Sequence, residues 1–219
     1  SSHHQSLPSC KKTRSKPVLI YPSLYYNVTF VSMKSILTIL LATVFFPMVF
    51  SQILKVDHYE TVIYATDLWR YFPGTTDPGS TWKSVSFDDS YWQEGQGGIG
   101  YSDNDDNTII NPVISLFMRI RFNISDTAQI KDVLFHIDYD DGFVAYINGT
   151  EIARAGITGN PPAYDATADD HEAEGTPTGF QADKSLLVNG ENLLAIEIHN
   201  TSATSSDMSA IPYLSFGMA

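Results

Sequence analysis

Apolar and polar side chains alternate with a two-residue period in several separate stretches of this chain. Within 115–122, Leu116, Met118, Ile120 and Phe122 share one phase, and Arg119 and Arg121 the other. Within 133–140, Val133, Phe135, Ile137 and Tyr139 oppose Leu134, His136, Asp138 and Asp140. Within 193–199, Leu194, Ile196 and Ile198 oppose Ala195, Glu197 and His199. Successive side chains of a strand point to opposite faces, so this period demands extended strands with one face on a core. Asn148-Gly149 separates two further apolar runs, 143–147 and 150–153. That dipeptide supplies the two positive-φ residues of a tight hairpin turn. Val62-Ile63-Tyr64, Trp82 to Val85 and Pro212 to Phe216 also read as short strands. Gly-, Asp-, Asn- and Pro-rich segments, chiefly 73–80, 94–112 and 156–179, read as loops. No stretch sustains a helical period, and helix fits only short pieces such as 126–131. The pattern predicts an all-β fold, a two-sheet antiparallel sandwich.

The first 51 residues differ in kind from the rest. All 25 acidic residues follow residue 51, whereas Lys11, Lys12, Arg14, Lys16 and Lys34 precede it. The remainder therefore has 8 basic against 25 acidic residues, a net charge of −17. Met33-Lys34, the apolar run Ile36 to Phe50 and Val49-Phe50-Ser51 read as a secretory signal peptide cut before Gln52. The run is short of the roughly 20 residues a spanning helix needs, so no stable membrane insertion is expected after cleavage. Residues 1–32 lack an initiating Met and read as an upstream or artefactual, disordered segment. The expected organisation is thus 1–32, a signal peptide at 33–51 and one exported β-sandwich domain at 52–219. The only cysteine is Cys10, which excludes a disulfide scaffold and a cysteine-built zinc site from the exported part. The acidic balance excludes nucleic acid as the main partner, because that affinity rests on clustered Lys and Arg.

Motifs for catalysis are incomplete. His171-Glu172-Ala173-Glu174-Gly175 opens like a zinc-protease helix, but Gly175 stands where the second His belongs. There is no Gly-x-Ser-x-Gly elbow. Gly95 to Gly100 is Gly-rich without the strand–turn–helix setting of a phosphate loop, and reads as a tight irregular loop beside Trp92. The adjacent acidic pairs Asp88/Asp89, Asp105/Asp106, Asp140/Asp141 and Asp169/Asp170 read as solvated loops rather than as two carboxyls facing across a cleft. The chain is expected not to be an enzyme. Asn123-Ile124-Ser125, Asn148-Gly149-Thr150 and Asn200-Thr201-Ser202 match the N-glycosylation pattern, which matters only in a eukaryotic secretory host.

A set of segments carries a resemblance. These are Trp69-Arg70-Tyr71-Phe72, Trp82, Phe87 to Trp92, Gly95 to Tyr101, Asp138 to Arg154, Asn192 to Asn200 and Ser205 to Ser209. Together they resemble the galactose-binding-domain-like jelly-roll modules of secreted bacterial proteins, over roughly 60–217. Such modules often stand beside spore-coat-H-type kinase, lamin-tail or polysaccharide-degrading domains. The resemblance implies a jelly-roll sandwich that is the N-terminal module of a longer surface or secreted protein, with a C-terminal neighbour missing from this chain. It implies an exported, non-catalytic binding module, carbohydrate-binding or cell-surface associated. The alternative is a structural spacer or docking module with no ligand of its own.

Two kinds of site follow. Asp103, Asp105 and Asn107 alternate with Asp106 between them, a run of hard oxygen ligands that suits Ca²⁺. A structural calcium, which the resemblance also implies, is expected there. Asp138, Asp140 and Asp141 form a second calcium candidate, or else cap the turn before the hairpin. For a glycan ligand, Arg119, His136, Asp138, Glu197 and His199 occupy the phase opposite the apolar stripes. Trp92, Tyr101 or Tyr164, in neighbouring loops, could stack on a sugar ring. If the strands share a sheet, these residues form a charged binding face, or simply its solvent side. Trp69, Trp82 and Phe143 are expected in the core.

Overall fold

The computed structural model describes residues 55–102 and 104–219. The expected leader at 33–51, the segment before it and Asp103 lie outside the described residues. The strands are β1 (His58–Ile63), β2 (Leu68–Pro73), β3 (Gln93–Gln96), β4 (Ile99–Gly100), β5 (Thr108–Ile109), β6 (Ser115–Ile124), β7 (Ile130–Asp140), β8 (Gly142–Ile147), β9 (Thr150–Ala155), β10 (Thr178–Gln181), β11 (Gly190–His199) and β12 (Ser209–Met218). They form a four-stranded sheet ordered β1-β12-β7-β10 and a six-stranded sheet ordered β3-β2-β6-β11-β8-β9. Every pair in both sheets is antiparallel. A small parallel pair, β4 with β5, lies apart from them. There is no α-helix among the described residues, and the segment 126–131 makes a single 3-10 turn at Thr127–Gln129, capped by Asp126. The all-β, two-sheet antiparallel sandwich read from the alternation is the fold observed.

The apolar phases of the strands meet between the sheets. Leu116, Met118, Leu194, Ile196 and Ile198 from the large sheet pack with Val133, Phe135 and Ile137 from the small one, all buried. Phe135 meets Phe143 at 6.0 Å, and Phe122 meets Phe216 at 6.1 Å, ring centre to ring centre. Trp69 and Phe143 are fully buried here, as expected. The β8–β9 hairpin turns at Asn148 and Gly149, at φ 51° and 86°, the positive values that an Asn-Gly turn requires. Gly97 lies against the Trp69 indole; a Cβ there would fall 2.2 Å from the Ala65 carbonyl oxygen.

The outer face of the large sheet departs from the simple sandwich. It does not face water. The segments 74–92 and 156–170 fold back over it and bury a second apolar layer of Trp82, Trp92, Phe117, Val144, Tyr146, Leu193 and Ala195. Trp92 stacks on Phe72 at 5.4 Å and on Trp82 at 6.3 Å. Trp82 also meets the edge of Phe117 at 5.0 Å.

Two arginines fix the first of these covers. Arg119 Nε donates to Asp89 Oδ2 at 2.7 Å, and its Nη1 donates to the carbonyls of Trp82 and Ser84. Arg121 Nη1 donates to both oxygens of Asp89, and its Nη2 to the carbonyls of Phe87 and Val85. The planar guanidinium, with five fixed N–H donors, suits this bundle of acceptors. Trp82 to Val85 is consequently not a strand. Turn bonds from Trp82 N to Gly79 O and from Ser84 N to Thr81 O bend it, and the arginines take the carbonyls a ladder would use.

Burial alone would raise the Asp89 carboxyl, but the hydrogen bonds and charges of Arg119 and Arg121 outweigh it and hold it below the usual carboxylate range. The stability this contact provides is present above about pH 4 and is lost as pH falls through Asp89's lowered value. Arg119→Met should destabilise the fold by roughly 3–5 kcal/mol in chemical denaturation, because Asp89 stays buried with half its partners. The same variant should shift tryptophan emission to the red as the cover over Trp82 and Trp92 loosens.

Candidate functional site

Between the 77–83 and 161–165 segments a cleft of about 240 Å³ opens down to the outer face of the large sheet. Its floor is Phe117 of β6 and Glu197 of β11, and its walls include Trp82 and Tyr164. Asp77, Lys83 and Asp165 stand at its rim. Ser115 Oγ donates to the Tyr164 carbonyl at 2.5 Å and Ala168 N donates to the Asn200 carbonyl at 3.0 Å, which ties the second cover to the sheet. A second depression, about 380 Å³, lies beside Tyr71, Gln93 and Ile110 and has no charged side chain in its lining.

The cleft floor is a buried polar chain. Tyr146 Oη donates to Glu197 Oε1 at 2.5 Å. His199 Nδ1 lies 2.9 Å from the Ala166 carbonyl, which only accepts, so Nδ1 carries a proton. His199 Nε2 then faces Glu197 Oε2 at 3.4 Å. Tyr146, Glu197 and His199 are all within 2% of full burial. Burial and then the Glu197 charge push the Tyr146 phenol far above its ordinary range. Lys83 Nζ sits 4.4 Å over the Tyr146 ring from the rim side.

The structure divides the residues that the sequence grouped. Arg119, Glu197 and His199 project from the large sheet, whereas His136 and Asp138 are on β7 in the small sheet and project the other way. The expected single charged face therefore does not exist, because the strands concerned belong to different sheets. Arg119 is buried as the cover's anchor, and Trp92 is 3% exposed within the aromatic stack. Tyr101 is buried too; its hydroxyl accepts from Asn200 Nδ2 at 2.8 Å and donates to the Ser205 carbonyl at 3.3 Å. His136 is half-buried on the small sheet beside Tyr213 and Gly179. Of the set, Glu197 and Tyr164 line the cleft. Trp82, assigned to the core from sequence, both belongs to the second core and walls the cleft.

The acidic loops serve several ends. Asp105 Oδ1 accepts from Ser209 Oγ at 3.1 Å, and Asn107 Nδ2 donates to the Gly97 carbonyl at 2.7 Å. The Asp106 carboxylate occupies the space against Gly100, where a Cβ would come within 2.6 Å of it. Asp138 Oδ1 accepts from Glu174 N, Asp141 Oδ1 from His171 N and Oδ2 from Thr201 N, so both aspartates pin neighbouring loops. Among the described residues, Asp140, Glu172 and Asp207 bring carboxylate oxygens within 4.8 Å of one another and could hold a metal ion. Their hard oxygens fit Ca²⁺ or a similar cation. Sequence reading named Asp140 in its second calcium candidate but missed Glu172 and Asp207, which lie far from it in the chain.

No protein-family model matches the chain, and no curated relative does. Among solved structures, a β-glucuronidase from Bacteroides uniformis is similar with a TM-score of 0.49 and 15% identity, over 73% of this chain and 18% of that one. A β-glycosidase from Bacteroides vulgatus gives 0.47 and 17%, over 71% and 20%. A β-glucuronidase from an uncultured Clostridium gives 0.49 and 11%, over 75% and 30%. The chain thus spans less than a third of the length of each of these enzymes.

Tyr146→Phe removes the hydroxyl that donates to the buried Glu197 carboxylate and should cost about 1–3 kcal/mol in denaturant unfolding. In an alkaline titration followed by absorbance, the wild type should show one more tyrosine that ionises only as the protein unfolds than the variant does.

Proposed function

We propose that this chain is an exported, non-catalytic carbohydrate-binding module and that its ligand occupies the cleft over Phe117 and Glu197. The observation that carries the reading is the cleft itself. It joins aromatic walls, which receive the apolar face of a sugar ring, to a fixed buried carboxylate, which accepts hydroxyl hydrogen bonds. Export rests on the leader-like sequence at 33–51. The leader, the acidic composition and the sandwich are consistent with a surface or secreted protein whose further domains lie in a longer chain. Glu197 is held by Tyr146 and His199 as a recognition group, and no turnover of the bound glycan is expected.

A calcium ion at Asp140, Glu172 and Asp207 is the second part of the proposal. It would brace the start of β12 against the end of β7 and the 171–175 loop, and would offset part of the −17 charge. By linkage, a ligand that binds only the folded state adds about 2.7 kcal/mol at a hundred times its Kd. Millimolar calcium should therefore raise the melting temperature over that in EDTA, and Asp207→Asn should abolish the increment. Equal melting in both buffers sinks the calcium part.

The glycan reading is tested on a broad glycan array with the wild type and Tyr164→Ala. The expected result is binding to a defined glycan class that Tyr164→Ala weakens roughly tenfold, about the value of one stacked aromatic contact. Absence of binding to any glycan, with and without calcium, would leave the spacer or docking role instead.

A further inference from the structure

We infer that the glycan taken by this cleft carries free, protonated amino groups; this rests on the carbohydrate reading and narrows it. The ionic groups around the cleft are Asp77, Asp165 and Glu197 against one cation, Lys83. That cation is already engaged, its ammonium lying on the Tyr146 ring. The cleft therefore presents a surplus of carboxylates to whatever enters. Glu197 at the floor accepts from Tyr146 and faces His199, yet a carboxylate offers about four lone-pair directions, so this cleft-lining group keeps acceptor capacity. An ammonium reaching it makes a charge-assisted hydrogen bond, roughly twice as strong as a neutral one.

The walls favour the same ligand. Trp82 and Tyr164 bring aromatic surface next to the carboxylates, and aromatic faces attract a desolvated cation as well as a sugar ring. A uronic acid or sulfated sugar would set its own negative charge against three carboxylates. An N-acetylated sugar would bring a neutral amide and forgo the ionic gain. The chain's own excess of acid extends the selection outward, since long-range attraction raises the encounter rate of a polycationic glycan and repels polyanions.

The test uses the purified full chain and calorimetric titration with four kinds of probe. These are oligomers of glucosamine and of galactosamine, their fully N-acetylated counterparts, neutral glucose oligomers, and spermine as an amine without a sugar. The expected result is at least tenfold tighter binding of a free-amine oligomer than of its acetylated counterpart, weakened by salt. Asp77→Asn with Asp165→Asn, at the exposed rim, should cut that preference severalfold while leaving the melting temperature unchanged; Asn at 77 keeps the oxygen that accepts from Gly79 N. Glu197→Gln should remove most of the preference. Should that buried change prevent folding, the rim variant alone decides. Equal affinity for amine and acetylated oligomers overturns this inference and leaves the carbohydrate reading in place. Spermine binding as tightly as the oligomers overturns the glycan part. Failure of every oligomer to bind overturns both.

Discussion

The Arg119–Asp89 contact is the joint on which the outer half of this molecule depends. A guanidinium rising from a strand centre would ordinarily point to water. Here it is enclosed by a loop that supplies a carboxylate and two carbonyls, with Arg121 engaging two carbonyls more. Desolvating such a charge is costly unless it is paired; Nε and Nη1 find acceptors while Nη2 is buried without one, and matching the first two sets the path of residues 82–89. That path sets Trp82 and Trp92 in a stack on the sheet and thereby creates a second core where a plain sandwich has a wet face. One wall of the cleft is thus a by-product of satisfying an arginine.

The ladders and the inner core were legible in the sequence because a period of two is a local signal. β6, β7 and β11 contain the predicted stretches and extend them, and the Asn-Gly hairpin stands where the dipeptide put it. What was not legible is which sheet a strand joins. The polar phases of β6, β7 and β11 look alike in sequence, yet β7 pairs with β12 and β10 while β6 and β11 pair with each other. Only long-range pairing decides that, and it separates His136 from Glu197 by the full thickness of the sandwich. The covers were misread for a related reason. Trp82 to Val85 has strand-like composition, but its carbonyls are claimed by side chains thirty residues and more away. A hint existed in two arginines on the polar phase of one strand, near a Phe-Asp-Asp-Ser-Tyr-Trp loop rich in complementary partners.

The two regions of chemical interest differ in how they are built. The cleft is lined from loops but floored by strands, so its deepest group, Glu197, is as rigid as the sheet that bears it. The acidic trio joins a strand end, Asp140, to loop residues, and its geometry follows the loops. Recognition that needs a fixed acceptor is served by the first arrangement, and a bracing ion by the second.

Neither cover takes part in a β-ladder. The hydrogen bonds that define the sandwich run entirely through other residues, so the fold places few demands on loop length or composition at the tips near Asp77 and Tyr164. Substitution, lengthening or exchange of those tips would recut the recognition surface while Arg119, Arg121 and Asp89 continue to hold the base of the first cover in place. The scaffold is in this sense a fixed frame with an interchangeable mouth: descendants sharing one sandwich could diverge widely in what they grip, and a library randomised at the tips alone would explore that range without touching the ladders.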